Sequence, residues 1–466
     1  MISFQKYGLE EIKSFLPYFK AEHLYSCDYT LGIKFMWHNY FSSTYAIQDN
    51  TLTLKEIYSK DKYSFYYPMG EHVSEMIKSL KEYQLANLTQ CLEFCCVDET
   101  HLELLKGMFP HSEYYADRNW SDYLYNNKDF QTFEGGSYSN KRHHVKRFLK
   151  NYPEATFRKC DKCDKEKLVE FIERFDESKK AETPEAINEY KEAIVLAKHF
   201  DELGFDCFFI EYKGQIIGIS ICEVINDCVY DHIEKALREY DSIYPYFVQK
   251  IANYYKDIVY FNREDDAGDE GLRYSKEDYH PCKMIEKYMF CVKNNLDLVD
   301  ELPVLKVNDE ISLSMITEND KEAYFDLYTD EELNKLWGYD YKVDLGNEPA
   351  TLDYFYNMVK DDFRKKDWFI FGIKKNNHLI GEVVLGELNN QNECEIGYRI
   401  IKKEQNKGIA TKSVLKVIEY LKNALKMSGI NAKTYKANAN SIDLLKKVGF
   451  NYTKSDDTFD YYKLTF

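Results

Sequence analysis

Apolar positions recur with two clear periods in the last third of the chain. Between Lys407 and Leu425 the residues Ala410, Val414, Ile418, Leu421 and Leu425 fall at spacings of 4, 4, 3 and 4. That period predicts a helix with one buried face. Ile311–Ile316 alternates instead, as a half-buried strand does. Glu318–Tyr328 and Ala350–Arg364 read as helices. Asp367–Ile373 and His378–Leu385 read as two strands joined by a turn at Lys374–Asn377. Further strands are predicted at Cys394–Ile401, Asn431–Ala437 and Asp460–Phe466, with a short helix at Ser441–Val448 closed by Gly449. This order implies a mixed α/β domain on a mainly antiparallel sheet.

The pattern before residue 300 is less regular. Strands are expected at Leu52–Tyr58, Leu92–Val97, Asp206–Tyr212, Gln215–Val224, Val229–Ile233 and Ile258–Phe261, and helices at Leu168–Arg174, Pro184–Phe200 and Tyr246–Tyr255. Cys207–Ile233 runs strand, turn, strand, turn, strand, which echoes Phe369–Tyr398 in outline. We read this as an internal repeat of one α/β unit in three copies. The polar stretch Val292–Glu310, with Asn294, Asn295 and Pro303, is read as a domain seam.

Composition narrows the class. At 466 residues the chain exceeds what one core serves, so two or three domains are expected. With 44% hydrophobic and 30% charged residues it is globular, and 9 Pro and 20 Gly exclude collagen-like and low-complexity classes. No apolar run approaches the roughly 20 residues of a membrane span. The charged start MISFQKYGLEEIK is unlike a signal peptide, so a cytoplasmic location is expected. Twelve irregularly spaced cysteines then read as reduced thiols. From Pro303 onward 24 Lys and Arg face 26 Asp and Glu, against 62 and 79 in the whole chain. The acidic excess therefore lies before that point, where it repels nucleic acid unless a local basic patch opposes it.

The sharpest chemical signal is Glu395-Ile-Gly-Tyr-Arg-Ile-Ile401 followed by Gln405-Asn-Lys-Gly-Ile-Ala410 and a helix. Gly408 and Ala410 sit where a strand turns into a helix. Amide groups there lack partners and the helix dipole favours an anion, with Lys407 and Lys412 adding charge. A plain strand–helix turn explains the glycine equally well. A second element, Asn438-Ala-Asn-Ser441 leading to Leu445-Lys-Lys-Val-Gly-Phe450, changes that balance.

Together these two elements resemble the GNAT superfamily of N-acetyltransferases, over about Asp309 to Phe466. The resemblance implies that Q-N-K-G-I-A cradles the diphosphate of acetyl-CoA and that Asn438, Ser441, Lys447, Gly449 and Phe450 run beside its pantetheine arm. It assigns acetyl-CoA to Ile400, Ile401, Gln405, Asn406, Lys407, Gly408, Ile409, Ala410, Thr411, Asn438, Ser441 and Lys447. Transfer to an amine needs a base, because a free alkyl amine is about one part in a thousand neutral at pH 7. Glu395 is the candidate, with Glu393 and Glu382 as alternatives, and each also reads as a solvated carboxylate. Many relatives carry a Tyr where this chain has Leu445. The acid for the departing thiolate is therefore Ser441, unless that serine only caps its helix, or else Tyr398. An oxyanion donor is expected among the amides of Arg399–Ile401.

In the first 300 residues, Lys141–Lys150 holds five Lys or Arg, two His and no acid. Such a stretch grips phosphates, or is an amphipathic helix with Val145, Phe148 and Leu149 inward and its cations paired. Asn262-Arg-Glu-Asp-Asp-Ala-Gly-Asp-Glu-Gly-Leu-Arg273 lacks calcium-loop spacing. It reads either as a loop holding a cation or a substrate amino group, or as a surface loop stitched by Arg263 and Arg273. Both stretches resemble the phosphatidylglycerol lysyltransferase C-terminal domain family, a tandem GNAT-like fold, over roughly Ser26 to Phe290. That family's best-known members move an amino acid from aminoacyl-tRNA to a lipid head group. Cys160 and Cys163 lack the second half of a zinc pattern, and no metal is expected.

The expectation is three GNAT-like units of class α/β (α+β), at 1–150, 151–298 and 303–466. The last would move an acetyl group from acetyl-CoA to a small-molecule or peptide amine. The others would recognise that acceptor or carry a second transfer. The alternatives are an aminoacyl-tRNA-dependent transferase, in which tRNA is a partner, and a non-catalytic binding module.

Overall fold

The computed structural model describes residues 2–59, 62–177, 184–346 and 348–466. Their strands form three sheets built to one plan, an antiparallel run followed by a parallel neighbour. In the first, Thr44–Gln48, Thr51–Ser59 and Lys62–Phe65 meander, and the last pairs in parallel with Glu93–Val97. In the second, Thr156–Lys159, Asp206–Tyr212, Gln215–Ile225 and Cys228–Ala236 meander, and Tyr260–Asn262 is the parallel neighbour. In the third, Ile311–Met315, Phe369–Lys375, His378–Asn389 and Glu393–Ile400 lead to Gly429–Tyr435. A parallel pair needs a crossover, and the helices Val73–Ala86, Ile243–Tyr254 and Ile409–Asn423 supply one in each sheet. The three-copy repeat seen in the sequence is therefore a repeat of topology.

The chain divides into two compact units. One holds the residues up to Ile77, Glu93–Glu103 and Tyr114–Phe290, and the other holds Lys78–Leu92, Leu104–Glu113 and Cys291–Phe466. The first two sheets interleave along the sequence. The second sheet takes Asp122–Asn126, while Tyr288–Val292 lies between Glu93–Val97 and Ser112–Ala116 in the first. A linear cut at residue 150 crosses both sheets.

The third sheet buries both faces. Val383, Cys394, Ile396 and Ile400 pack with Val414, Val417 and Leu421 of the helix Ile409–Asn423. On the opposite face Ile370 and Val384 pack with Tyr324, Leu327, Tyr328 and Phe355. The stretch read as a polar seam is buried over Asn294–Val299 and mostly exposed after it. Leu296, Val299 and Leu302 join the core, while the amides of Asn294 and Asn295 donate to the carbonyls of Glu393 and Leu425. In that part a polar composition hid the burial, because the asparagines satisfy backbone groups that would otherwise be stranded. The helix expected from Lys407 begins at Ile409, because Asn406 and Gly408 hold φ of 59° and 71° and cannot be helical. A strand at Asn451–Ser455 escaped the pattern, since all five residues are exposed on the sheet's edge.

Candidate functional site

Glu393–Ile400 and Gly429–Tyr435 pair over only three residues, the last being Glu395 with Asn431. Beyond that point the strands separate. By alternation, Cys394, Ile396, Tyr398 and Ile400 lie on the face that carries the helix Ile409–Asn423, and Glu395, Gly397 and Arg399 lie on the other. The Ile401 amide donates to the Ile380 carbonyl across the neighbouring strand, which rules it out as the expected oxyanion donor. The same alternation turns the amides of Tyr398 and Ile400 toward the gap.

The expected phosphate nest has the required backbone. Left-handed Asn406 and Gly408 flank Lys407, and no side chain caps the helix that follows. The first-turn amides of Ile409, Ala410 and Thr411 have no acceptor within the helix. A Cβ built on Gly408 would meet open space, so the cradle is not filled from within. These features fit a diphosphate. Ile409 itself is buried in the core and offers only its amide. Gln405 donates from Nε2 to the Ile400 carbonyl at 2.9 Å, which ties the loop to the strand end. Lys407 pairs with Glu404 at 3.2 Å. The exposed Lys447 lies at the end of the helix Ala439–Lys447.

Across the gap, the Tyr398 hydroxyl lies 2.9 Å from Ser441 Oγ and 3.2 Å from its carbonyl. Burial pushes the phenol up to about 12, against the opposing effect of the Ser441 bond. Tyr398 therefore keeps its proton. The cap role weighed for Ser441 belongs to Asn438, whose side chain accepts from the Ser441 amide at 3.2 Å. Leu445 is in the core.

The three carboxylates separate by surroundings. Glu382 is fully buried and takes Arg399 Nε at 2.6 Å and the Tyr324 hydroxyl at 2.9 Å. Glu393 pairs with Lys463 at 2.5 Å and is also held by Asn431 and Asn389. Burial alone would raise its pKa, but those partners bring it below the ordinary value. Neither fits a proton acceptor. Glu395 is the last paired residue before the gap. Burial raises its pKa despite Lys433 at 3.1 Å, which is the direction a general base at neutral pH requires.

Sequence reasoning missed the groups that share the face of Glu395. The Arg399 guanidinium lies over the rings of Tyr328, 3.9 Å from its centroid, and Trp337, at 4.5 Å, and also donates to Asn334 Oδ1. A Cβ on Gly397 would stand 3.2 Å from Trp337. The parity of the strand was the available signal, because it sets Arg399 beside Glu395 and apart from Tyr398.

In the first unit the basic stretch forms the helix Ser139–Asn151. Val145 and Phe148 face inward, but Leu149, expected inward, is 45% exposed. Lys141 pairs with Asp278 and Arg147 with Asp241, both at 2.6 Å, and Arg142 donates to the carbonyls of Phe133 and Gly135. The acidic loop is exposed over Ala267–Leu272 but anchored inside, with Arg263 and Arg273 stitching it as the second reading had it. Asn262 and Asp266 are fully buried, Arg263 pairs with Glu234, and Arg273 holds Asp266 at 2.8 Å. Lys287 sits among Asp122 at 2.7 Å, Asp28 at 2.8 Å and Asp265 at 3.6 Å, with Cys27 Sγ at 3.3 Å. This ammonium supplies the positive charge that a metal would bring to Cys27, Asp122 and Asp265. His232 is clasped by Glu223 at 3.0 Å and Glu264 at 2.8 Å. Burial alone would lower its pKa, but the two carboxylates outweigh it and lift it to about 10. Of the CxxC pair, Cys160 is buried and Cys163 exposed.

The second sheet's counterpart of this turn carries different groups. Its crossover helix Ile243–Tyr254 also follows a left-handed residue, Ser242 at φ 68°. There the Ser242 hydroxyl contacts His144 Nδ1 at 2.9 Å, and Pro245 removes a first-turn donor.

Among the described residues no helix is long and apolar enough to cross a membrane. A family model described as phosphatidylglycerol lysyltransferase, C-terminal, matches residues 19–291, more than half of the chain. A second, the acetyltransferase (GNAT) domain, matches residues 310–451. An uncharacterized N-acetyltransferase, YoaA, of Bacillus subtilis is 28% identical over 151 residues, covering 32% of this chain and 82% of its own. An uncharacterized protein of Mycoplasmoides gallisepticum is 26% identical over 175 residues, 36% of this chain and 55% of its own. A crystal structure of a conserved protein of unknown function from Bacteroides thetaiotaomicron shares the fold, with a TM-score of 0.60 and 23% identity. It covers 63% of this chain and 100% of its own. The C-terminal part is thus an acetyltransferase domain, and the match supports acetyl-CoA as its cosubstrate. The chain as a whole belongs to the phosphatidylglycerol lysyltransferase C-terminal family and carries a GNAT acetyltransferase domain after it.

Proposed function

We propose that the C-terminal domain transfers the acetyl group of acetyl-CoA to a primary amine. One observation carries this reading. The strands part just beyond Glu395, next to an uncapped helix start, and Tyr398 and Ser441 meet across the opening. In this reading the amides of Ile409, Ala410 and Thr411 hold the diphosphate. The thioester lies in the gap, where the Tyr398 or Ile400 amide donates to its carbonyl oxygen. Glu395 takes the proton of the attacking ammonium, directly or through water. The amine lone pair forms the new C–N bond as the C–S bond breaks, and the proton the nitrogen then sheds neutralises the departing thiolate. Tyr398 donates a hydrogen bond to the departing sulfur. A phenol held near 12 acts here as a donor to the thiolate rather than as a full proton source, since a thiol's own value is about 8.5.

The test is acetyl-CoA-dependent acetylation of an amine panel, followed as CoA release. Tyr398→Phe should lower kcat by 10- to 100-fold and leave the KM for acetyl-CoA within about threefold. A KM effect without a kcat effect would place Tyr398 in binding only.

For the N-terminal unit we propose aminoacyl transfer from a charged tRNA as a second reading, favoured by its family membership and by the buried carboxylates around Lys287. The pairing of Lys141, Arg142 and Arg147 weakens the case for that helix as the tRNA grip. Filter binding of tRNA against salt tests the reading, and an absent or salt-insensitive signal removes it.

A further inference from the structure

Residues 87–92 lead from the helix Val73–Ala86 to the strand Glu93–Val97. The strand Tyr288–Val292 ends beside them, where the Val292 amide donates to the Leu92 carbonyl at 2.9 Å. That pairing brings together two cysteines 200 residues apart in sequence, Cys91 and Cys291, whose Sγ atoms lie 2.6 Å from one another. Both belong to the second compact unit, and both are half-buried rather than sealed. Cys95 and Cys207 differ, because they are fully buried and burial pushes their thiols well above the ordinary value. Such thiols are inert. The Lys293 ammonium pairs with Glu113 at 3.1 Å and lies within coulombic reach of both Cys91 and Cys291. A cation so placed favours the thiolate, which is the nucleophilic form.

Paired thiols serve either a metal or each other. Two thiolates on a tetrahedral zinc stand about 3.8 Å apart, given Zn–S bonds of about 2.3 Å. The separation of 2.6 Å is nearer to the roughly 2.05 Å of a disulfide. Lys293 also opposes a cation at this place while it assists a thiolate. We propose that Cys91 and Cys291 form a reversible redox site, closed to a disulfide by a hydroperoxide and reopened by a dithiol. One thiolate attacks a peroxide oxygen, the O–O bond breaks, and the oxygen that leaves takes up a proton. The sulfenic acid formed in this way is attacked by the second sulfur. The S–S bond forms as the S–O bond breaks, and water departs. With hydrogen peroxide, two thiols lose two electrons and two protons, and the peroxide becomes two waters. A dithiol returns both electrons and protons by exchange through a mixed disulfide. The closed bond ties residues 87–92 to the start of the stretch that carries Asn294 and Asn295, whose amides hold the carbonyls of Glu393 and Leu425. Neither sulfur takes part in the transfer proposed above.

The experiment uses the full chain, reduced with dithiothreitol and then freed of it under nitrogen. Hydrogen peroxide is added in rising amounts, each sample is quenched with iodoacetamide, and the digest is read by mass spectrometry. Trypsin with chymotrypsin cuts after Leu92 and Phe94, which parts Cys91 from Cys95 and Cys96. The expected product joins the Cys91 and Cys291 peptides at two hydrogens below their summed mass and disappears on renewed reduction. It should exceed every other cross-link at least tenfold and form at peroxide levels that leave the exposed Cys282 alkylated. Cys291→Ser, which exchanges one atom, should abolish it. Recovery of Cys91 and Cys291 as alkylated thiols after Cys282 has been oxidised overturns the proposal, as does a cross-link of Cys291 to Cys95 or Cys96 in its place. Zinc is followed in the same titration with 4-(2-pyridylazo)resorcinol. One equivalent released by peroxide from the wild type and none from Cys291→Ser makes the pair a metal site and overturns the proposal too.

Discussion

Placing a charge at position 408 probes the phosphate nest most directly. Gly408 stands at φ 71° with open space where a Cβ would go. Any side chain there costs about 1–2 kcal/mol of backbone strain, a cost that asparagine and aspartate bear most easily. That cost falls on folding, because the left-handed conformation is already present before ligand arrives. Gly408→Asn and Gly408→Asp share shape and strain and differ by one charge. At about 4 Å and an effective dielectric of about 20, an aspartate repels a single phosphate charge by about 4 kcal/mol. The residue is exposed, and salt reduces this to on the order of 2 kcal/mol. Gly408→Asp should therefore bind acetyl-CoA about 30- to 1000-fold more weakly than Gly408→Asn. Calorimetry at two ionic strengths measures the difference, which should widen at low salt. If the Asp variant binds within threefold of the Asn variant, the diphosphate does not sit on these amides and the reasoning fails.

Three further outcomes are expected. His232 has its folded value lifted to about 10 from an ordinary 6.5, so its contribution to stability is complete below 6.5 and is lost as pH rises toward 10. His232→Gln should accordingly flatten the decline of the unfolding free energy, measured by urea titration between pH 7 and 10, by on the order of 3 kcal/mol across the window, and an unaltered slope would refute the clasp. Lys287→Met leaves three carboxylates facing one another and should cost about 3–5 kcal/mol at pH 7. Part of that loss should return by pH 5, because burial has already raised Asp265 to about 6. Glu395→Gln should remove an acidic limb from the pH–rate profile, a limb lying above the ordinary carboxylate range because burial raises this group; a limb that survives the substitution assigns it elsewhere.

The third sheet and the turn that starts its crossover helix were legible because each rests on a local signal. A 3.6-residue period marks the helix Ile409–Asn423, and a small residue marks the turn before it. Motif spacing brought Tyr398 and Ser441 into consideration, but only the separation of two strands joins them. Lys433, Trp337 and Asn334 went unseen, since each reaches the site from an element distant in sequence. Buried charge defeated the reading in the first unit. A run of Asp, Glu and Arg looks solvated, yet Asp266 and Asn262 are interior because Arg273, Tyr123 and Asp122 complete their hydrogen bonds. Composition cannot reveal such partners. The interleaving of the first two sheets was also invisible, because strand periodicity says nothing of which neighbour a strand will choose.

That interleaving has a consequence for biosynthesis. The sheet begun near Gln5 lacks its inner strand until Tyr288–Val292 has been made. At about 5–20 residues per second, a ribosome needs roughly 15–60 seconds to reach it. For roughly the last 9–35 seconds of that interval the nascent chain holds Glu93–Val97 and Ser112–Ala116 apart, each with an open edge that invites foreign pairing. The N-terminal half should consequently depend on chaperone cover during translation, and synonymous codons that slow elongation before residue 292 should lower the soluble yield.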